Sequence, residues 1–175
     1  MSLLLLLLLP AASADVLDRI EVVVGDRIVC ASDVALEAAL DPHDQSPVSA
    51  LENPATPYRE RLVDLAVLRG LAGEIEVFRP DSADVEARWQ RFRATFDAPE
   101  AADRFLADWG FTEAEFKGLL YSRMVSERYV LRNLPGGVAG GAGFREWMDG
   151  LRARVAIRDA SASLGGAPPG APPSP

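Results

Sequence analysis

Two short segments near opposite ends of the chain have residue patterns typical of β-strands, and this feature constrains the fold more than any other. The amino-terminal segment, residues 20–29, reads IEVVVGDRIV, with β-branched side chains on both sides of Gly25-Asp26. Glycine at the first central position favours a two-residue type II′ turn, so this segment is predicted to be a β-hairpin. Near the other end, Val155 and Ile157 alternate with polar residues as in a third strand. Because a lone strand is unstable in water, we expect this strand to pair with the hairpin.

Between the strands, apolar residues recur at helical spacing. Helices are predicted from the N-cap Ser32 to Leu40, from Tyr58 to Phe78, from Ser82 to Phe96, from Glu100 to Trp109, from the N-cap Thr112 up to Pro135, and around Phe144 to Leu151. The chain has 175 residues, enough for one domain with a substantial core. The predicted fold is mainly α with a small antiparallel β element. An amino-terminal β-hairpin precedes a helical bundle, and a carboxyl-terminal helix and strand close the domain.

The start of the last long helix has the most specific local signal. Thr112 and Glu115 have the spacing of a capping box, and Phe111 and Phe116 have the spacing of a hydrophobic staple. Gly110 stands where a helix commonly ends on a left-handed glycine. These residues predict one helix end and one helix start within six positions.

The first fourteen residues are predicted to be a signal peptide. A leucine run from Leu3 to Leu9 is followed by Pro10 and by Ala12-Ser13-Ala14, the pattern of a short apolar region and a cleavage site. The run is far shorter than the roughly 20 residues that span a membrane. The alternatives are an uncleaved anchor and a buried helix. We expect the mature protein to start near Asp15, to be exported to the periplasm, and not to insert stably in a membrane.

Residues 15–159 are predicted to form the folded domain. Within them, residues 136–143 (GGVAGGAG) are expected to be a flexible link, because glycine loses the most backbone entropy on ordering. Residues 160–175, rich in proline, glycine and alanine, are expected to be a disordered tail.

The charge and the metal-binding side chains exclude several classes of function. The formal net charge of −8 argues against a nucleic-acid partner. Six arginines that alternate with acidic residues are interpreted as solvated helix faces: Arg59, Arg61, Arg88, Arg91, Arg93 and Arg104. The single cysteine, Cys30, forms no internal disulfide and is expected to be buried, the alternative being a disulfide between two chains. With the single histidine, His43, it makes a zinc site improbable, so we predict no metal and no cofactor.

No residue pattern predicts catalysis. The glycine run follows a helix and lacks the lysine and hydroxyl residue of a phosphate loop. His43 lies near Asp41 and Asp44 in a proline-rich loop, which leaves a proton-transfer role conceivable, but a solvated loop histidine is the favoured interpretation. The sequence therefore predicts a binding protein and not an enzyme.

Aromatic residues are the candidates for binding. Five of them are predicted to contact peptide: Trp89, Phe92, Phe96, Trp109 and Phe116. Unfolded polypeptides are recognised through apolar side chains, which favours an aromatic surface of this kind. The alternative is that an aromatic stripe at helical spacing belongs to the core.

The order of four segments resembles the amino-terminal module of SurA-type periplasmic chaperones and related parvulin-type peptidyl-prolyl isomerases. The segments are VLDRIEVVVGDRIVCASDV, RLVDLAVLRGLAGEIEV, WGFTEAEFKGLLYSRMVSERYV and FREWMDGLRARVAIRD. The resemblance covers Asp18 to Asp159, and it includes a helix and strand that return to the amino-terminal module.

The resemblance implies a chaperone without isomerase activity. Where the family inserts its parvulin domain, this chain has only residues 136–143. The clients implied by the resemblance are unfolded or nascent exported proteins, outer-membrane proteins among them. The alternative function is an assembly adapter in the cell envelope that binds one defined partner. Because the glycine-rich link tethers the last helix and strand, a homodimer formed by swapping them is a further expectation.

Overall fold

The structure is a computed structural model, and it describes residues 18–44, 46–48, 51, 53–134 and 142–160. The predicted signal peptide and residues 161–175 of the predicted tail lie outside these residues. So do residues 136–141 of the predicted link, whereas residues 142 and 143 belong to the last helix. Among the described residues, no helix is both long enough and apolar enough to cross a membrane.

Both ends of the described chain meet in one small sheet. Strands β1 (Ile20–Val24), β2 (Arg27–Cys30) and β3 (Ile157–Asp159) are antiparallel, in the order β2-β1-β3. Gly25 has a φ of 61°, and Asp26 has a negative φ, as a type II′ turn requires. The hairpin and its pairing with the carboxyl-terminal strand are therefore confirmed.

Six α-helices of the described chain make up most of the molecule, which confirms the mainly helical fold class. They are α1 (Ala31–Leu40), α2 (Tyr58–Ala72), α3 (Ser82–Arg93), α4 (Pro99–Asp108), α5 (Glu113–Asn133) and α6 (Ala142–Arg152), with a short 3-10 helix at Glu76–Phe78.

Several helix boundaries differ from the prediction, among them the end of α3 at Arg93 and not at Phe96, and two of the differences have local reasons. Helix α1 begins one residue before Ser32, because the Asp33 carboxylate accepts the Cys30 N–H at 2.7 Å and makes Cys30 the N-cap. The Ser32 hydroxyl instead donates to Asp18. Helix α2 ends at Ala72 and not at Phe78, since Gly73 adopts a φ of 52° that stops the helix.

The junction between α4 and α5 agrees with its sequence signals. Gly110 has a φ of 72° and donates to the Ala107 carbonyl, while the Phe111 N–H donates to the Leu106 carbonyl, the two bonds of a Schellman motif. Two residues later, the Thr112 N–H donates to the Glu115 carboxylate at 2.9 Å, as in a capping box.

The apolar side chains form two main cores. One lies between the sheet, α2 and α6, and it includes Val22, Val67 and Met148. The other lies between α1, α3, α4 and α5, and it is built around Trp89 and Phe116. Helices α1 and α5 contribute to both cores, and α2 packs against both of these helices.

Salt bridges attach the carboxyl-terminal helix and strand to α2. The Arg152 guanidinium lies 2.7 Å from an Asp64 carboxylate oxygen and 2.8 Å from Glu60. On β3, the Asp159 carboxylate accepts from Arg59 at 2.7 Å. Together with the buried apolar face of α6, these contacts hold the carboxyl-terminal segment on the first core.

Candidate functional site

An apolar groove lies between β2, α1, α2 and α5, and we refer to it as the groove. It has a volume of ≈ 190 Å³. Its apolar lining consists mainly of partly exposed side chains: Leu36 of α1, Leu62, Leu65 and Ala66 of α2, and Leu119 of α5. Cavities of about 150 Å³ with comparable walls bind benzene, so the groove has room for roughly one large apolar side chain.

The groove reaches the edge of the sheet. Ile28 and Val29 of β2 both line it, although successive side chains of a strand point to opposite faces. Contact with both residues places the groove alongside the strand and not on one face of it. Ile28 is 56% exposed, so this side of the groove is accessible to a binding partner.

Buried charges form the inner wall of the groove. Glu37 and Arg123 line it, and Arg123 donates to Glu37 at 2.6 Å. They belong to a larger group of buried ionised side chains that we call the charge cluster: Glu37, Asp44, Arg61, Arg88, Arg123 and Glu127. The cluster joins α1, α2, α3, α5 and the loop after α1.

Each arginine of the charge cluster contacts two acidic groups. Arg88 donates twice to Asp44, at 2.7 and 3.1 Å, and once to Glu127 at 2.5 Å. The Nε of Arg123 lies 2.8 Å from Asp44, a close charge contact without hydrogen-bond geometry. Burial opposes the charge of Arg123, but the Glu37 and Asp44 carboxylates outweigh it and raise its pKa above the usual value.

Arg61 completes the charge cluster on the side of α2. It lies 3.5 Å from Glu37 and 2.6 Å from Asp41. Removing one partner from a buried group of this kind leaves an uncompensated charge, which is far more costly than losing an exposed pair. The cluster therefore fixes the relative positions of the helices that line the groove.

The prediction that Arg61 and Arg88 lie on solvated helix faces is wrong, since both are 3% exposed. A signal for this was present in the sequence. Arg88 stands three residues after Val85 and four before Phe92, on the same face as the apolar stripe of its helix. A charged residue at such a position needs a buried partner, but the partners come from distant segments and could not be identified.

The structure divides the five predicted peptide-binding aromatics into two groups. Trp89, Phe92 and Phe116 are at most 1% exposed, and the ring centroids of Phe92 and Phe116 are 4.5 Å apart. These three residues are core residues, which corrects the expectation that they form a binding surface. Phe96 and Trp109 are partly exposed, so the peptide-binding prediction remains for these two only.

His43 packs on the aromatic cluster. Its ring stacks on Phe96 with centroids 4.0 Å apart and planes 11° apart, and its Nδ1 lies 2.9 Å from the Thr95 hydroxyl. His43 is therefore a partly exposed loop histidine that packs against an aromatic ring. A second cavity of ≈ 290 Å³ lies beside His43, where Asp44 and Arg88 are already bonded within the charge cluster.

Cys30 is partly buried at the start of α1. Burial and the nearby carboxylates of Asp18 and Asp33 raise the pKa of its thiol, which favours the protonated, unreactive form. Among the described residues, no three histidine, cysteine or carboxylate side chains are grouped in a way that could hold a metal ion.

Comparisons of this chain with protein-family models, with curated proteins and with solved structures give no match. The resemblance to the SurA-type module is therefore an expectation from the sequence.

Proposed function

We propose that this protein is a chaperone-like factor of the cell envelope that holds segments of unfolded or partly folded polypeptides in the groove. The observation that carries the proposal is the set of partly exposed leucines beside an accessible strand edge. An apolar groove that stays open to solvent is typical of a surface that binds apolar side chains.

The size of the groove favours weak binding of many different segments. Burying one leucine or phenylalanine side chain contributes roughly 1.5–3 kcal/mol. A millimolar Kd corresponds to about 4 kcal/mol, so a single apolar side chain gives only transient binding. Transient binding suits a protein that retains non-native clients and then releases them, and it requires neither a cofactor nor a catalytic group.

The position of the charge cluster supports the same function. Glu37 and Arg123 form an ion pair at the inner wall of the groove, and this pair holds α1 against α5. Because breaking a buried ion pair is costly, the spacing between α1 and α5 at the groove is fixed when no client is bound. A preformed site loses little conformational entropy on binding, which helps a site that offers few contacts.

Aggregation suppression tests the proposal. Leu65→Ser removes an apolar wall of the groove, and Leu131→Ser is a matched control, since Leu131 is 62% exposed on α5 and does not line the groove. We expect the wild type and Leu131→Ser to protect two unrelated denatured proteins when present in large molar excess, and Leu65→Ser to protect neither. Thermal unfolding of each variant checks that it is folded.

The same assay separates the two candidate functions. An adapter for one defined partner would leave both denatured proteins unprotected and would bind a single native protein. Equal protection by Leu65→Ser and the wild type would contradict binding in the groove. We expect no acceleration of prolyl isomerisation, which without a catalyst takes tens of seconds and is readily followed.

A further inference from the structure

The sheet leaves one side of β2 open. Within the described chain β2 pairs only with β1, and the bonds between β1 and β3 fix which residues of β1 face which neighbour. The Gly25 N–H donates to the Ala156 carbonyl at 2.8 Å, and the Ala160 N–H donates to the Glu21 carbonyl at 3.1 Å. The odd-numbered residues of this segment therefore bond to β3, and the even-numbered ones bond to β2.

Ile28 consequently presents its peptide groups to the open side. Val24 pairs with Arg27 across the turn, and Ile28 pairs with the odd-numbered Val23. Because hydrogen-bonded and non-hydrogen-bonded pairs alternate, the N–H and C=O of Ile28 point away from β1. Two residues further on, the Cys30 N–H is already accepted by the Asp33 carboxylate. The free peptide groups of β2 are thus concentrated at Ile28, beside the groove.

A free positive charge stands at the same edge. Arg27 lines the groove and is exposed, and its guanidinium forms no hydrogen bond or ion pair with another described residue. The other rim arginine, Arg69, is bonded to the Gly73 carbonyl at 2.7 Å and lies 3.3 Å from Glu74. The Asp33 carboxylate in the groove accepts a hydrogen bond from the Cys30 backbone N–H. The charge left without a partner at this rim is positive, so the rim is complementary to a carboxylate.

Resting on the proposed function, we infer that the groove binds its client as an added β-strand. One client residue exchanges two backbone hydrogen bonds with Ile28, a large apolar side chain of the client enters the groove, and a nearby aspartate or glutamate pairs with Arg27. The client is thus an extended segment with a leucine or phenylalanine flanked by an acidic residue. A second copy of this chain fits less well, because each copy has a formal net charge of −8.

The single backbone pairing with Ile28 gives a specific test. The probe is a fluorescein-labelled synthetic peptide in which leucine and threonine alternate and one leucine is flanked by aspartate. Peptides N-methylated at each successive residue are compared with it by fluorescence anisotropy on the full chain. We expect N-methylation to weaken binding at one residue only, the residue that pairs with Ile28, by about 2- to 12-fold, the factor that corresponds to one net hydrogen bond. An equal effect at every residue, or none, would overturn strand addition.

The charge contact is tested on both partners. Changing the peptide aspartate to asparagine is expected to weaken binding to the wild type severalfold, and to have little effect on Arg27→Gln, which lacks the cation. An unchanged effect in Arg27→Gln would overturn the pairing. The variant Ile28→Pro removes the backbone N–H at position 28, and Ile28→Val is its control. If the proline variant does not fold, the N-methylated peptides give the same information.

Failure of this inference is distinguishable from failure of the proposed function. If Leu65→Ser abolishes aggregation suppression but the N-methylation series is flat, the groove binds clients in another way and strand addition is wrong. If the peptide does not bind and Leu65→Ser suppresses aggregation as well as the wild type, both are wrong. A dimer of the wild type in gel filtration that Ile28→Pro abolishes would assign the edge to a second copy and overturn the inference.

Discussion

Replacing Arg88 with methionine tests whether the charge cluster is as desolvated as its geometry indicates. The guanidinium is 3% exposed and donates to Asp44 twice and to Glu127 once. Without it, Asp44 keeps its contact with Arg123, but Glu127 loses its charged partner among the described residues. Methionine replaces most of the aliphatic volume of arginine, so the main change is the loss of charge and hydrogen bonds.

The expected loss of stability follows from the contacts that Arg88 loses. Breaking a buried ion pair by removing one partner costs roughly 3–5 kcal/mol. Domains of this kind are stable by only about 5–15 kcal/mol, so Arg88→Met removes a large share of the total. With a urea m-value of about 1–3 kcal/mol/M, the unfolding midpoint should fall by at least about 1 M.

A double-mutant cycle, measured by urea denaturation, can refute this reasoning. Arg88→Met with Glu127→Met removes both charges, and it should be less destabilising than the sum of the single variants by roughly 0.5–3 kcal/mol. The control is Arg79→Met, at an arginine that is 40% exposed and paired with Glu74 and Glu76, and a much smaller effect is expected there. A loss below about 1 kcal/mol for Arg88→Met, or strict additivity, would show that the cluster is solvated.

Three further predictions concern the rest of the fold. Burial raises the pKa of Asp64 above its usual value of 3.8 despite the Arg152 hydrogen bond. An acid with a raised pKa in the folded state contributes stability that is full below its unfolded-state pKa and is lost as pH rises. The stability of the wild type relative to Asp64→Asn should therefore fall in urea titrations as pH rises above about 4, where an aspartate of the unfolded chain ionises, and a rise would contradict this. Thr112→Ala should lose about 1 kcal/mol in thermal unfolding through the lost N-cap of α5, and an unchanged Tm would refute that role. Deletion of residues 136–141 should convert the chain to a swapped dimer in gel filtration, and an unchanged monomer would count against swapping.

Local signals in the sequence predicted much of the fold. The capping box at Thr112, the left-handed Gly110 and the Gly25 turn depend on neighbouring residues, and each has the expected geometry. The pairing of the two chain ends was also predictable, because an isolated strand at Ile157 had only the hairpin as a partner.

The groove and the charge cluster could not be predicted in the same way. Leucines such as Leu65 have the helical spacing of core residues. Their partial exposure depends on how β2, α1 and α5 pack around α2, which local spacing does not reveal. Arg88 and Asp44 are 44 residues apart in the chain, and no local pattern pairs them. The aromatics were assigned to a surface, yet Trp89 is buried, because large rings contribute most when they lie in the core.

Methyl NMR of the leucine side chains during titration with a denatured client tests the central claim most directly. Binding in the groove predicts chemical-shift changes confined to Leu36, Leu62, Leu65 and Leu119, with the exposed Leu131 unaffected. Shifts that instead cluster around the partly exposed Phe96 and Trp109, or no shifts at several-fold excess of client, would contradict the account.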